Sequence, residues 1–222
     1  MKQIRKILYN AWTMAALSML AAVVGVLTSC EEHSDIYDNT LKVGNIYLSN
    51  DRVVSPEGYN PDTDDAVGVI FYVHEDTTLV VGKQEMGNYI YSDSLGTIPN
   101  VVNDAISLSG MQNTAAIRAS EFAKHFPALT ALETYTSKVT GWSLPAAGDL
   151  RALSATLGMV SRPMSLVGGD DFSREQYFST SQDGSSSTEQ ENYYTVSLPT
   201  GSVISSHKWE PSRVRLILSI TK

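Results

Sequence analysis

The sequence predicts an α+β fold, an antiparallel sheet with two or three helices packed on it. Three observations carry the prediction. Residues 43–83 and 176–220 contain runs rich in β-branched and aromatic residues, whereas residues 114–157 place apolar residues at spacings of three and four. The order is therefore strands, helices, strands, which does not match the repeated strand–helix units of a parallel sheet. After Val43 no Pro/Ser/Gly block is long enough to separate two domains.

The elements follow in order. Residues 43–48 form a short strand. Ala66–His74 (AVGVIFYVH) is the strongest strand candidate, and Gly68 within it marks a bulge or the close approach of another element. Glu75 and Asp76 turn the chain, so that residues 77–83 return as a hairpin partner. Residues 114–126 then place Ala115, Ala119, Phe122 and Phe126 on one helical face, with Asn113 or Thr114 as cap. Pro127 ends that helix or opens a new turn through Leu129 and Leu132. A further helix follows Pro145, with Leu150, Leu153 and Leu157 on one stripe and Gly158 where a C-terminal cap belongs. Residues 176–181, 192–198 and 213–220 read as strands, and residues 198–201 as a turn leading to Val203 and Ile204. Residues 213–218 alternate and then become wholly apolar, as in a buried central strand. The serine-rich stretch 181–191 reads as an exposed loop.

Composition narrows the function. With 42% apolar and 18% charged residues the chain can bury a core. A net charge of −8 argues against a nucleic-acid partner, because there is no basic surplus to displace counterions from phosphate. The single cysteine forbids an internal disulfide and a cysteine-cluster metal site.

The first thirty residues form an address. Lys2, Arg5 and Lys6 precede a stretch, residues 11–27, that carries no charge, and Leu27-Thr28-Ser29-Cys30 leads directly into Glu31 and Glu32. A retained membrane anchor is the competing reading, since seventeen residues stand at the short edge of what spans the ~30 Å hydrocarbon core. The position of Cys30 decides between them. The segment resembles a bacterial lipobox, which implies cleavage before Cys30 and acylation of its thiol and new amino group. Two or more acyl chains hold a protein on a bilayer without a spanning helix. The expected organisation is a signal peptide at 1–29, a lipidated acidic tether at 30–42 and one domain at 43–222. The acidic residues 31–35 read as a solvated spacer, and they resemble the surface-export signal of Bacteroidetes lipoproteins. The expected location is the outer membrane, with exposure at the cell surface as the further possibility.

The segment Gly141-Trp142-Ser143-Leu144-Pro145-Ala146-Ala147-Gly148-Asp149-Leu150 resembles the "G-W-x-L-P-[ST]-x-x-E-L" signature of the DUF1566 (Lcl C-terminal) and fibrobacter-succinogenes major-domain families. Other pieces occur in matching order: Val43-Gly44-Asn45-Ile46-Tyr47, Ala66-Val67-Gly68-Val69-Ile70-Phe71, Tyr177-Phe178-Ser179-Thr180-Ser181, and Gly201 with Lys208 and Arg213-Val214-Arg215. Asp149 replaces the usual Glu, and Phe178 the usual Trp. The resemblance spans about residues 43–222 and implies a C-type-lectin-like domain. Trp142, Leu144, Pro145 and Asp149 themselves read as core and cap: a large ring with one N–H to satisfy, a proline suited to a first helical turn, and an acid at the positive end of the helix.

A search for chemistry finds little. The related formylglycine-forming oxidase needs reactive cysteines, and here the only one is assigned to the anchor. Asp62, Asp64 and Asp65 lack the glycine and the closing glutamate of a calcium loop, and Asp170 with Asp171 is a similar solvated pair. His33, His74, His125 and His207 have no metal-binding spacing, and no nucleophile elbow or phosphate-binding loop occurs. No cofactor and no metal are expected. What remains is a binding surface on the late loops, 168–174, 182–191 and 205–211, with Tyr193, Tyr194 and Trp209 as aromatic candidates. Tyr194 is the one expected in the core. The expectation is a non-enzymatic lipoprotein that binds a protein or glycan, in adhesion or envelope assembly; the alternative is a glycan-capture accessory of a polysaccharide uptake system.

Overall fold

In the computed structural model residues 38–183 and 191–221 are described. The signal segment, Cys30, the acidic residues 31–35 and most of the serine-rich loop lie outside the described residues.

The early strands follow the expected order. β1 (Ile46–Leu48) pairs with β2 (Val53–Val54) on one side and with β3 (Ala66–His74) on the other. The chain turns at Glu75, in the left-handed region at φ +49°, into β4 (Thr77–Tyr89). Gly68 answers to the close approach: a Cβ there would lie 2.3 Å from the Val81 carbonyl oxygen. β4 runs six residues beyond the expected 77–83, because irregularities between Val81 and Gly87 let it bend without leaving the sheet. Residues 38–42, read as tether, are tied to the domain: Asn39 Oδ1 accepts the Ser55 N–H at 2.9 Å, and Asn45 Nδ2 donates to the carbonyls of Asp38 and Thr40.

The helical region divides differently from the reading at 114–126. α1 (Gly110–Ala119) starts earlier and stops at Ser120; a 3₁₀ turn (Ala123–His125) and α2 (Pro127–Glu133) follow. Ser120 ends α1 because its hydroxyl donates to the Ile117 carbonyl and accepts the Phe122 N–H, offering the backbone an alternative to the next helical turn. Asn113 and Thr114 are not caps. Asn113 holds both the N–H and the carbonyl of Val102, and Thr114 Oγ1 does the same for Leu144. Pro127 opens a new helix, as one of its two readings required.

After β5 (Trp142–Ser143), α3 (Ala147–Leu166) is the longest helix described. It passes Gly158 and ends at Val167, and Gly168 takes the left-handed conformation (φ +66°) expected of the capping glycine. Gly158 stands inside the helix with open space around its missing Cβ. Gly158→Ala is therefore expected to stabilise the domain by about 1 kcal/mol in urea denaturation, and a loss of stability would contradict this placement.

β6 (Gln176–Gln182), β7 (Asn192–Ser197), β8 (Val203–His207) and β9 (Ser212–Thr221) complete one nine-stranded sheet of order β2-β1-β3-β4-β9-β6-β7-β8, with β5 also on β9. The sheet is mixed, not wholly antiparallel, because β6 and β9 meet in parallel at Tyr177 and Arg213. Two hairpin reversals return β8 to the direction of β6, and residues 208–211 then carry the chain to β9 without a third reversal. β9 is the central strand: β4 lines one edge, β6 and β5 the other.

Its side chains alternate between two apolar cores. Ile217 joins Val69, Phe71 and Val81 under α3, with Leu150, Leu153 and Met164 facing them. Leu216 and Leu218 join Ile70 and Val80 on the opposite face, under Ile117 of α1 and Leu129 and Leu132 of α2. Both faces of the sheet are covered, which is why β3, β4 and β9 are apolar through their middles and not merely alternating. Among the described residues the architecture is α+β, a mixed sheet of nine strands with three helices.

Candidate functional site

The GWSLPAAGDL segment is a junction in the core. Trp142 is 8% exposed; its Nε1 donates to Ser137 Oγ at 3.0 Å and Tyr135 meets it edge-on at 6.1 Å. Leu144 and Pro145 are buried, and the Pro145 carbonyl accepts from Thr180 N–H (2.8 Å) and Oγ1 (3.1 Å). Asp149 does more than favour a helix dipole. It is 1% exposed, and its Oδ2 accepts the N–H of Ala146 at 2.8 Å and that of Gly110 at 2.9 Å, so one carboxylate serves the N-termini of both α3 and α1. Burial raises its pKa to about 6, against the opposing pull of those two bonds. These four residues hold the fold and touch no open surface.

The predicted aromatic residues separate. Tyr193 is 0% exposed and is not available to a ligand: it lies in a cluster with Tyr91, Phe126 and Phe178, and its hydroxyl donates to Ser212 Oγ at 2.9 Å. Alternation within β7 places it on the inward face, where Phe178 of neighbouring β6 and Tyr91 pack against it. Tyr194 is half-buried, packs against the α3-side core and donates to Asp183 Oδ1 at 3.0 Å. Trp209 is 55% exposed.

Trp209 projects from a loop that is fixed on its inner side. The neighbouring Lys208 is buried, with its Nζ 2.7 Å from the Gly96 carbonyl, 3.3 Å from Gln182 Oε1 and 5.5 Å from the centre of the Tyr91 ring. Its backbone is held as well: Lys208 N–H donates to Glu191 O at 2.8 Å, and its carbonyl accepts Tyr91 N–H at 2.9 Å. His207 meets the indole edge-on at 5.0 Å. A lysine inside an apolar aromatic nest needs acceptors on all sides, and here they come from three separate segments. The result is an outward aromatic ring on a loop tied at Lys208 by side-chain and backbone hydrogen bonds, a geometry that lowers the entropy lost on binding. The sequence contained one sign of this arrangement, a lysine flanked by His207 and Trp209, but the contributions of Tyr91 and Gln182 are non-local.

The other candidate loops are less open. In 168–174, Asp170 N–H donates to Lys83 O, Asp170 Oδ2 accepts the Glu85 N–H at 2.8 Å, and Arg215 donates to the Asp170 carbonyl at 2.7 Å, so the segment is bound down on β4 and β9. Beside it, Glu85 accepts from the Tyr177 hydroxyl and from Arg213 Nη1 at 2.9 Å. Of the early acidic cluster, Asp64 accepts the Asn60 N–H and Asp65 pairs with Lys138 at 2.6 Å. His125 lies 2.6 Å from Asp93. No group of three or more His, Cys, Asp or Glu side chains converges among the described residues.

No protein-family model matches the chain, and no curated protein matches it. No helix among the described residues is long and apolar enough to cross a membrane.

Proposed function

We propose that this protein is a non-enzymatic lipoprotein of the outer membrane, anchored through an acylated Cys30, with a lectin-like domain that binds another macromolecule in adhesion or envelope assembly. The observation that carries the reading is Trp209, a half-exposed indole on a loop locked from beneath by the buried Lys208. Tryptophan is among the residues enriched at binding hot spots. The lipobox-like sequence at 27–30 supports the anchor. The same indole face suits a sugar ring, which supports the second reading, a glycan-capture accessory.

Two variants test this. Cys30→Ser should move the full-length protein out of the membrane fraction or leave it as precursor; an unchanged membrane fraction that still takes palmitate label would contradict the anchor. Trp209→Ala should change stability by less than about 0.5 kcal/mol. It should abolish retention of envelope components that the wild type retains. Equal retention by both would remove Trp209 from the site, and loss of glycan-array signal alone would favour the second reading.

A further inference from the structure

A second concave surface lies away from Trp209. It is a groove of about 480 Å³, between the N-terminal half of α3, the loop before α1, the end of β3 and the β7–β8 turn. This volume falls in the ~300–1,000 Å³ range of small-ligand sites. Its walls include Tyr72, Ile106, Leu108, Arg151, Ser154 and Thr200. Ile106 is 76% exposed, so the groove presents apolar surface to solvent with nothing described covering it.

The groove is shaped by close packing. A Cβ on Gly148 would lie 2.3–2.4 Å from the carbonyl oxygens of Ser107 and Ile106, so the helix and the loop press together and fix the floor. Arg151 Nη1 donates to the Ala105 carbonyl at 3.1 Å, which holds the guanidinium at the rim. Arg151 makes no ion pair among the described residues, and it is the only charged side chain lining the groove. The acid next to the groove, Asp104, is turned onto its own loop, where it accepts from the N–H of Ile106 and from the N–H and hydroxyl of Ser107. What sets Arg151 apart is its place: a cation tied at the rim of a concave, otherwise uncharged surface.

The remaining walls say what the anion carries. The half-buried Tyr72 lines the groove beside apolar Ile106 and Leu108. Ser154 Oγ donates to the Leu198 carbonyl at 2.6 Å; Thr200 Oγ1 donates to Ser202 Oγ at 2.9 Å and accepts the Ser202 N–H at 3.3 Å, so both hydroxyls have spent their proton and each keeps accepting capacity for a ligand's hydroxyl group. A purely apolar acid would leave those acceptors dry. A neutral sugar would leave Arg151 without a charge partner. We infer that this groove binds an acidic saccharide, a pyranose bearing a carboxylate, with its flat apolar face on Tyr72 and its carboxylate on the Arg151 guanidinium. The inference goes beyond the reading built on Trp209 and does not depend on it.

The test is calorimetric titration of the full chain in detergent with three probes: a galacturonic acid trisaccharide, the neutral galactose trisaccharide and a short acidic peptide. The acidic sugar should bind with a Kd of about 1 mM or tighter, and the neutral sugar at least about tenfold more weakly. Arg151→Gln, which retains a donor for the Ala105 carbonyl, should weaken the acidic sugar about tenfold or more, and raised salt should act in the same direction. Arg151→Gln should leave the retention of envelope components that depends on Trp209 unchanged, which separates a failure here from a failure of the function proposed above. The inference is overturned if the two sugars bind alike, if no heat is seen at about 10 mM, if Arg151→Gln binds like the wild type, or if the peptide binds more tightly than the sugar.

Discussion

Trp142→Ala is expected to cost about 3–5 kcal/mol of folding stability, the largest single loss we anticipate. The ring packs over the backbone of β4 at Gly82, where an added Cβ would meet it at 3.2 Å, and its strand pairs with Leu218 in the middle of β9. Truncation opens a cavity the size of an indole in the second core and removes one of the two N–H donors to Ser137 Oγ, the Val139 N–H remaining. Urea denaturation measures it. Trp142→Phe, which fills most of the space and loses only the hydrogen bond, should cost clearly less. A change below about 0.5 kcal/mol for the alanine variant would mean that the ring does not pack in the core.

Asp149 gives the second large effect, with a pH signature. The folded carboxyl has its pKa raised to about 6, above the unfolded value of 3.8. Between those two values the folded state holds more of the proton than the unfolded state. Stability from this group is therefore greatest below about pH 4, declines as pH rises towards 6 and is level above. The span corresponds to about 3 kcal/mol. Asp149→Asn keeps an oxygen for the N–H groups of Ala146 and Gly110 but carries no charge. The stability of the Asn variant relative to wild type should therefore rise by about that amount between pH 4 and pH 7. A difference that stays flat across that range would contradict the burial of the charge. Asp149→Ala removes the acceptor for both N–H groups and should lose about 2–4 kcal/mol near pH 4, where the charge penalty is absent.

How much of this could be read from residues depended on whether the cause was local. Ala66–His74 and the strand through Val214 and Leu218 were legible, because burial on both sheet faces writes itself as an unbroken apolar run. Pro127 and the start of α3 were legible through proline's fixed backbone. Gly158 misled, since a glycine one helical turn from a leucine stripe looks like a stop, and only the packing of Val160 and Met164 into the α3-side core carries the helix onward. The break at Ser120 turned on one hydroxyl choosing backbone partners. Tyr193 and Trp209 look equivalent in sequence, as aromatic residues near late loops. What separates them is that Tyr91 and Phe178, 87 residues apart in the chain, close over one and not the other. The groove at Arg151 joins four segments and left no contiguous signature at all.

The parallel meeting of β6 with β9 has a consequence for biogenesis. The keystone strand β9 follows every strand it pairs with, so β4, β5 and β6 each lack a neighbour until β9 has left the ribosome. Until then the edge of β4 that β9 will cover presents unpaired backbone N–H and carbonyl groups, the kind of open edge that invites pairing with another chain.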